Sequence, residues 1–203
     1  MRGRGTSGGG GADGDPLRPA RGRDDSERPN FDLHVPADGY AWWYLDGISD
    51  DGEQAISIIA FIGSVFSPWY RWSGRKHPAD HCCLNVATYG RGGRWTMTDR
   101  GAGALTLSRD RMQIGPSAME WRGDHLAVEI DELAWPHMHR LKGEVRVWPE
   151  AMTSVEMLLT PSGTHVWRPF APDARIEVAL ARPGWRWSGH GYLDANFGTR
   201  ALE

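Results

Sequence analysis

Ser117-Ala-Met-Glu-Trp-Arg-Gly-Asp-His-Leu-Ala-Val-Glu-Ile-Asp-Glu-Leu133 reads as two strands, Ser117–Arg122 and His125–Leu133, folded about Gly123-Asp124. Glycine supplies the positive φ that a tight hairpin needs, and Asp tolerates the same region. The pattern continues in both directions. Short runs rich in Val, Ile, Thr, Trp and Tyr recur, separated by Gly, Pro, Asp and Asn, which is the mark of an all-β chain. Further strands are expected over 41–48, 54–61, 83–89, 94–98, 104–108, 112–114, 141–148, 153–158, 165–170, 175–181, 185–188 and 190–197. Asp50-Asp51-Gly52 makes a second hairpin turn. No segment carries three turns of helical periodicity, and the one helical turn expected lies around Pro78 to Cys82. Many short antiparallel strands without helices leave barrels and sandwiches as the candidate architectures, and a barrel not filled by its own side chains encloses one apolar ligand.

Composition narrows the function classes. Of 203 residues, 23 are Lys or Arg and 26 are Asp or Glu, for a net charge of -3, so the basic excess that grips phosphates is missing and no nucleic-acid partner is expected. The chain holds 11 Trp, more than a core requires, so flat apolar surfaces are available to a ligand. The two cysteines are adjacent, Cys82 and Cys83, which excludes a disulfide framework and a zinc site of paired thiolates. His137 and His139 are two apart and would share a strand face, yet spacing supplies no third ligand, so no metal is expected. No phosphate loop, nucleophile elbow, His-Glu-x-x-His or EF-hand loop is present, and no cofactor is expected.

Residues 1–30 carry eight glycines, six arginines and five acids, and are expected to form a disordered Gly/Arg-rich tail with no secretory signal in it. The longest apolar stretch, Ala55 to Phe66, is interrupted by Ser57, Gly63 and Ser64 and falls short of the roughly 20 residues of a spanning helix. A soluble or peripheral protein is expected.

Two segments look chemical. In Thr164-His-Val-Trp-Arg168, alternation places His165 and Trp167 on one strand face; in Gly189-His-Gly-Tyr-Leu-Asp-Ala-Asn196, it places His190, Tyr192, Asp194 and Asn196 together. Such a row faces either solvent or a polar patch in a cavity.

The strings Tyr40-Ala-Trp-Trp-Tyr-Leu-Asp-Gly-Ile-Ser-Asp-Asp-Gly52, Ile59-Ala-Phe-Ile-Gly-Ser-Val-Phe-Ser-Pro68, His81-Cys-Cys-Leu-Asn-Val-Ala87 and Gly189-His-Gly-Tyr-Leu-Asp-Ala-Asn-Phe-Gly198 closely resemble the carotenoid 1,2-hydratases of phototrophic bacteria, also called hydroxyneurosporene synthases. The resemblance covers the chain from about residue 35 onward. It implies a lipocalin-like antiparallel β-barrel over 31–203, truncated before a second β-rich region, so that the C-terminal part of the family fold is missing. It also implies a cofactor-independent hydro-lyase that adds water across the terminal C1–C2 double bond of acyclic carotenoids such as neurosporene and lycopene. The family's His-x-Trp and Tyr-x-Asp pairs fall here on His165, Trp167, Tyr192 and Asp194.

Hydrating a trisubstituted alkene needs an acid strong enough to make a tertiary carbocation. Asp194 is the expected donor, its pKa raised by burial in an apolar tunnel, with Trp167 and Tyr192 stabilising the cation through their ring faces. His165 is the expected acceptor of the water's proton, with His190 as substitute. Trp43, Trp187, His190 and Asn196 are expected to bind the substrate. The substrate is almost insoluble in water, so peripheral contact with the cytoplasmic side of the membrane is expected, through Phe66, Trp69, Tyr70 and Trp72 in a loop opened by Pro68. The competing readings are a lipocalin-type carrier without chemistry and a carbohydrate-binding sandwich. An enclosed aromatic setting for Asp194 favours the enzyme, and an open flat face favours carbohydrate binding.

Overall fold

The strands follow one another as β1 (Leu17–Pro19), β2 (Tyr40–Ser49), β3 (Ala55–Ile62), β4 (Cys82–Tyr89), β5 (Trp95–Thr96), β6 (Leu105–Leu107), β7 (Arg111–Ile114), β8 (Ser117–Arg122), β9 (His125–Ala134), β10 (His139–Ala151), β11 (Val155–Leu158), β12 (His165–Arg182) and β13 (Trp185–Gly198). These come from a computed structural model that describes residues 17–19, 28 and 30–202. Most of the tail expected over 1–30 lies outside the described residues; Leu17–Pro19 within it pairs with β11.

The thirteen strands of the described residues form one antiparallel sheet, whose main path runs β5-β4-β3-β2-β13-β12-β10-β9-β8-β7-β6. The early strand β2 lies against the last, β13, so chain segments about 150 residues apart meet in the middle of the path. The sheet curls around its own core into a half-barrel, and Arg100 holds the curl. Its backbone forms an isolated bridge with Cys82 on β4, while its guanidinium reaches the fully buried Glu132 of β9 at 2.7 Å. Ser117 Oγ donates to the other oxygen of Glu132 at 2.7 Å, so the buried carboxylate is paired on both sides.

Alternation sends one set of side chains inward. Ala41, Trp43 and Leu45 of β2, Ile56, Ile58 and Ala60 of β3, Val145 and Val147 of β10, Ile176 and Val178 of β12, and Leu193 and Ala195 of β13 pack into a single core. Among the described residues, these side chains fill the half-barrel interior.

Between β3 and β4 the chain forms a short helix, α1 (Pro68–Trp72), where a loop was expected. The local reason is visible in Ser67-Pro68: the Ser67 hydroxyl accepts from the Tyr70 N–H as an N-cap, and Pro68 is pre-set for the first turn. A second turn, over Pro78–Asp80, falls where one was expected. No helix among the described residues is long and apolar enough to cross a membrane.

Candidate active site

The side chains that alternate away from the core on β2, β12 and β13 form one row on the outer face of the sheet. Tyr44 lies opposite Asp194, Asp46 opposite Tyr192, and Asn196 between Trp42 and Trp167. The row is continuous because β2 and β13 pair without a register shift from Tyr40–Gly198 to Ser49–Gly189.

Asp194 is its centre, only 9% exposed although it sits outside the core. Oδ2 accepts from the Trp167 indole N–H at 3.0 Å and from the Tyr192 hydroxyl at 2.9 Å, and Oδ1 accepts from the Asn196 amide at 3.2 Å. Burial raises its pKa above the ordinary carboxyl range; the Trp167 and Tyr192 hydrogen bonds pull the other way, and the nearby charge of Asp46 adds to the rise. Burial likewise raises the Tyr192 phenol, with the Asp194 charge second. Asp46 is half-buried, accepts from the Tyr44 hydroxyl at 3.2 Å, and is raised by burial as well.

The site residues read from sequence fall into three places. His165, Trp167, Tyr192, Asp194 and Asn196 share the outer row, and Trp167, Tyr192 and Asn196 all contact Asp194. His165 lies at the end of the row, opposite Gly198, with Nδ1 2.9 Å from the Tyr40 hydroxyl. Gly198 is four positions beyond Asp194, about 13 Å along a strand. His190 is on the same face but exposed, 3.8 Å from Asp50. Trp43 and Trp187 point to the other side: Trp43 is buried against Phe31 and Phe197, and Trp187 packs on the core.

Sequence reasoning passed over Tyr44, Asp46, Tyr40 and Trp42. Their signal was available in Tyr40-Ala-Trp-Trp-Tyr-Leu-Asp46, where alternation puts Tyr40, Trp42, Tyr44 and Asp46 on one face. From His165 an aromatic track runs outward across the sheet. Its ring centroids are 5.7 Å apart for His165–Tyr40, 4.8 Å for Tyr40–Trp42, 5.7 Å for Trp42–Phe61 and 5.3 Å for Phe61–Phe66. It ends beside α1, where Phe66, Trp69 and Trp72 are 57, 60 and 70% exposed. Tyr70, expected with them, is instead buried, its hydroxyl donating to the Gly39 carbonyl at 2.6 Å. A cleft of about 520 Å³ lies at this end, lined by Tyr40, Phe66, Tyr70 and Trp72 together with Arg71 and Arg75.

His137 and His139 have ring centroids 5.8 Å apart, but among the described residues no group of three or more His, Cys, Asp or Glu could hold a metal ion. Cys82 and Cys83 are buried and free, and burial pushes their thiols up to about 11 and about 12, which leaves them un-ionised.

Fold and row together define a lipocalin-like β protein carrying one buried acid held by aromatic donors. The family model for the carotenoid hydratase CrtC matches residues 58–203, and the chain belongs to that family. It is 48% identical over 206 residues to the acyclic carotenoid 1,2-hydratase of Thiocapsa roseopersicina, covering all of this chain and 51% of that protein. To the acyclic carotenoid 1,2-hydratase of Rhodobacter capsulatus it is 60% identical over 147 residues, covering 72% of this chain and 52% of the relative. The chain thus spans about half the length of the curated relatives it matches. In fold it is similar to a crystal structure of an AttH-type protein of Nitrosomonas europaea, with a TM-score of 0.50 at 13% identity, over 84% of this chain and 57% of that one.

Proposed function

We propose that this chain carries the acid centre of an acyclic carotenoid 1,2-hydratase. The observation that carries the reading is Asp194, a buried carboxyl whose pKa is raised and whose hydrogen-bond donors are an indole and a phenol. A protonated Asp194 delivers its proton to C2 of the terminal double bond, leaving a tertiary cation at C1. Trp167 and Tyr192 offer ring faces to that cation, worth about 2 kcal/mol when desolvated. Water then adds at C1. His165 acts at a distance from these atoms: it holds Tyr40, which begins the aromatic track.

The track suits an apolar polyene that arrives from a membrane and has almost nothing to hydrogen-bond. Exposed Phe66, Trp69 and Trp72, with Arg71 among them, have the composition of an interfacial anchor, so the protein is a peripheral membrane protein in this reading.

The experiment is to incubate the full-length protein with lycopene or neurosporene and to look by mass spectrometry for one added water. Carotenoid recovered unchanged but tightly bound supports a carrier instead.

A further inference from the structure

The same three-residue string occurs twice, Tyr44-Leu45-Asp46 on β2 and Tyr192-Leu193-Asp194 on β13, with each Tyr and Asp in the outer row and each Leu in the core. The strands are antiparallel and Leu45 lies directly opposite Leu193, so each tyrosine faces the other motif's aspartate. The arrangement has a local two-fold axis through the leucine pair. Each tyrosine also donates to the aspartate of its own motif, Tyr44 at 3.2 Å and Tyr192 at 2.9 Å, and the two rings meet edge to face at 6.3 Å.

We infer that Asp46 and Asp194 form a one-proton carboxyl pair, in which Asp194 gives the proton to the alkene and Asp46 takes the proton released by the attacking water. This rests on the hydratase reading. Diagonal neighbours on a sheet face are about 7–8 Å apart, a span that leaves room for a substrate carbon and a water between two carboxyls, as in enzymes that place acid and base on either side of a reacting bond.

The balance is simple. The Asp194 O–H bond breaks, a C–H bond forms at C2, and the cation at C1 gains a C–O bond from water while Asp46 accepts the water's proton. The alcohol leaves with Asp194 ionised and Asp46 protonated. The pair holds one proton before and after, and the site resets when that proton returns to Asp194 through solvent or the tyrosine hydroxyls. Depth sets the direction: Asp194 is buried, whereas Asp46 is half-exposed and meets water. The charge of Asp46 adds to the rise in the Asp194 pKa, so the two carboxyls resist ionising together and their titrations are coupled.

The groups facing Asp46 are few. On its own strand there is Tyr44; on β13 there are Tyr192 opposite, Asp194 on one diagonal and His190 on the other, with His190 near Asp50; on β3 there is Ser57 opposite.

The test compares the full-length wild type with Asp46→Asn and Asp46→Glu. On lycopene, Asp46→Asn is expected to lower kcat by about 100- to 1,000-fold with binding retained, and Asp46→Glu or added formate to restore part of it. Wild-type kcat should fall on both the acid and the alkaline side, and Asp46→Asn should lose the acid limb alone. A second measurement needs no turnover: carboxyl carbon NMR should show the Asp194 titration moving down in Asp46→Asn, because a neighbouring like charge is gone. Wild-type kcat with both limbs intact in Asp46→Asn, or an Asp194 titration that does not move, overturns the pair. If the wild type makes no hydrated product, the hydratase reading falls, and the pair is decided by the NMR titration.

Discussion

Trp167 donates its indole N–H to Asp194 across β12 and β13 at 3.0 Å, and this bond works against the burial that raises the Asp194 pKa. Trp167→Phe removes the donor and keeps an aromatic face. Asp194 should then hold its proton to higher pH, so the alkaline limb of the pH–rate profile moves up. The plateau should fall about 5-fold, because Phe offers a weaker cation–π face by about 1 kcal/mol. A limb that moves down in the pH–rate profile of Trp167→Phe would contradict the acid role of Asp194.

The row also orders two substitutions. Asp194→Asn preserves shape but supplies no proton, and should lower kcat by at least about 100- to 10,000-fold while leaving carotenoid binding nearly intact. His165→Ala, at the far end of the row, removes the hydrogen bond and the ring stacking to Tyr40 and should act mainly on KM. Single-turnover assays with both variants check the order. A dead His165→Ala beside an active Asp194→Asn would mean the proton enters elsewhere.

The acid centre should cost stability at neutral pH. Below the unfolded carboxyl value of about 3.9, Asp194 is protonated in both folded and unfolded chains and contributes no difference. As pH rises, the unfolded chain ionises first, because burial has raised the folded value. The stability associated with the proton is lost as pH climbs through the folded pKa, so Asp194→Asn should be more stable than wild type at pH 7, by thermal unfolding, and the gap should close toward pH 4. Equal melting temperatures at pH 7 would show that the carboxyl is not held in an unfavourable state.

Strand positions were legible in the sequence because alternation and turn residues are local signals, and every expected strand overlaps an observed one. Two departures come from continuity. Strands expected over 165–170 and 175–181 form one long β12, whose pairing shifts register between Arg168 and Ala174, around Pro169 and Pro172. Those over 185–188 and 190–197 form one β13, because Gly189 lies against Ile48 and Ser49 with no room for a side chain, and keeps the strand in line. Alternation does say which residues share a face; it cannot say which face is the core when both carry large side chains. That is why Trp43 and Trp187 were expected at the substrate and lie on the core side, and why the place of Asp46 becomes legible only from β2 lying beside β13.

Trp69 and Trp72 on α1 are open to solvent, whereas Tyr70 between them is buried. Trp69 and Trp72 pack edge to face at 5.0 Å on α1 and remain largely exposed, so removing both takes little from the folded core. The double variant Trp69→Ala, Trp72→Ala should keep the wild-type melting temperature and lose most binding to liposomes in co-sedimentation, since interfacial indoles supply the anchoring energy. It should also raise KM for carotenoid delivered in liposomes and leave KM for detergent-delivered carotenoid unchanged. Tyr70→Phe removes a buried hydrogen bond to Gly39, worth about 1 kcal/mol, and should lower the melting temperature without affecting liposome binding. If the double variant still binds liposomes as the wild type does, α1 is not the anchor, and the aromatic track ending there does not open toward lipid.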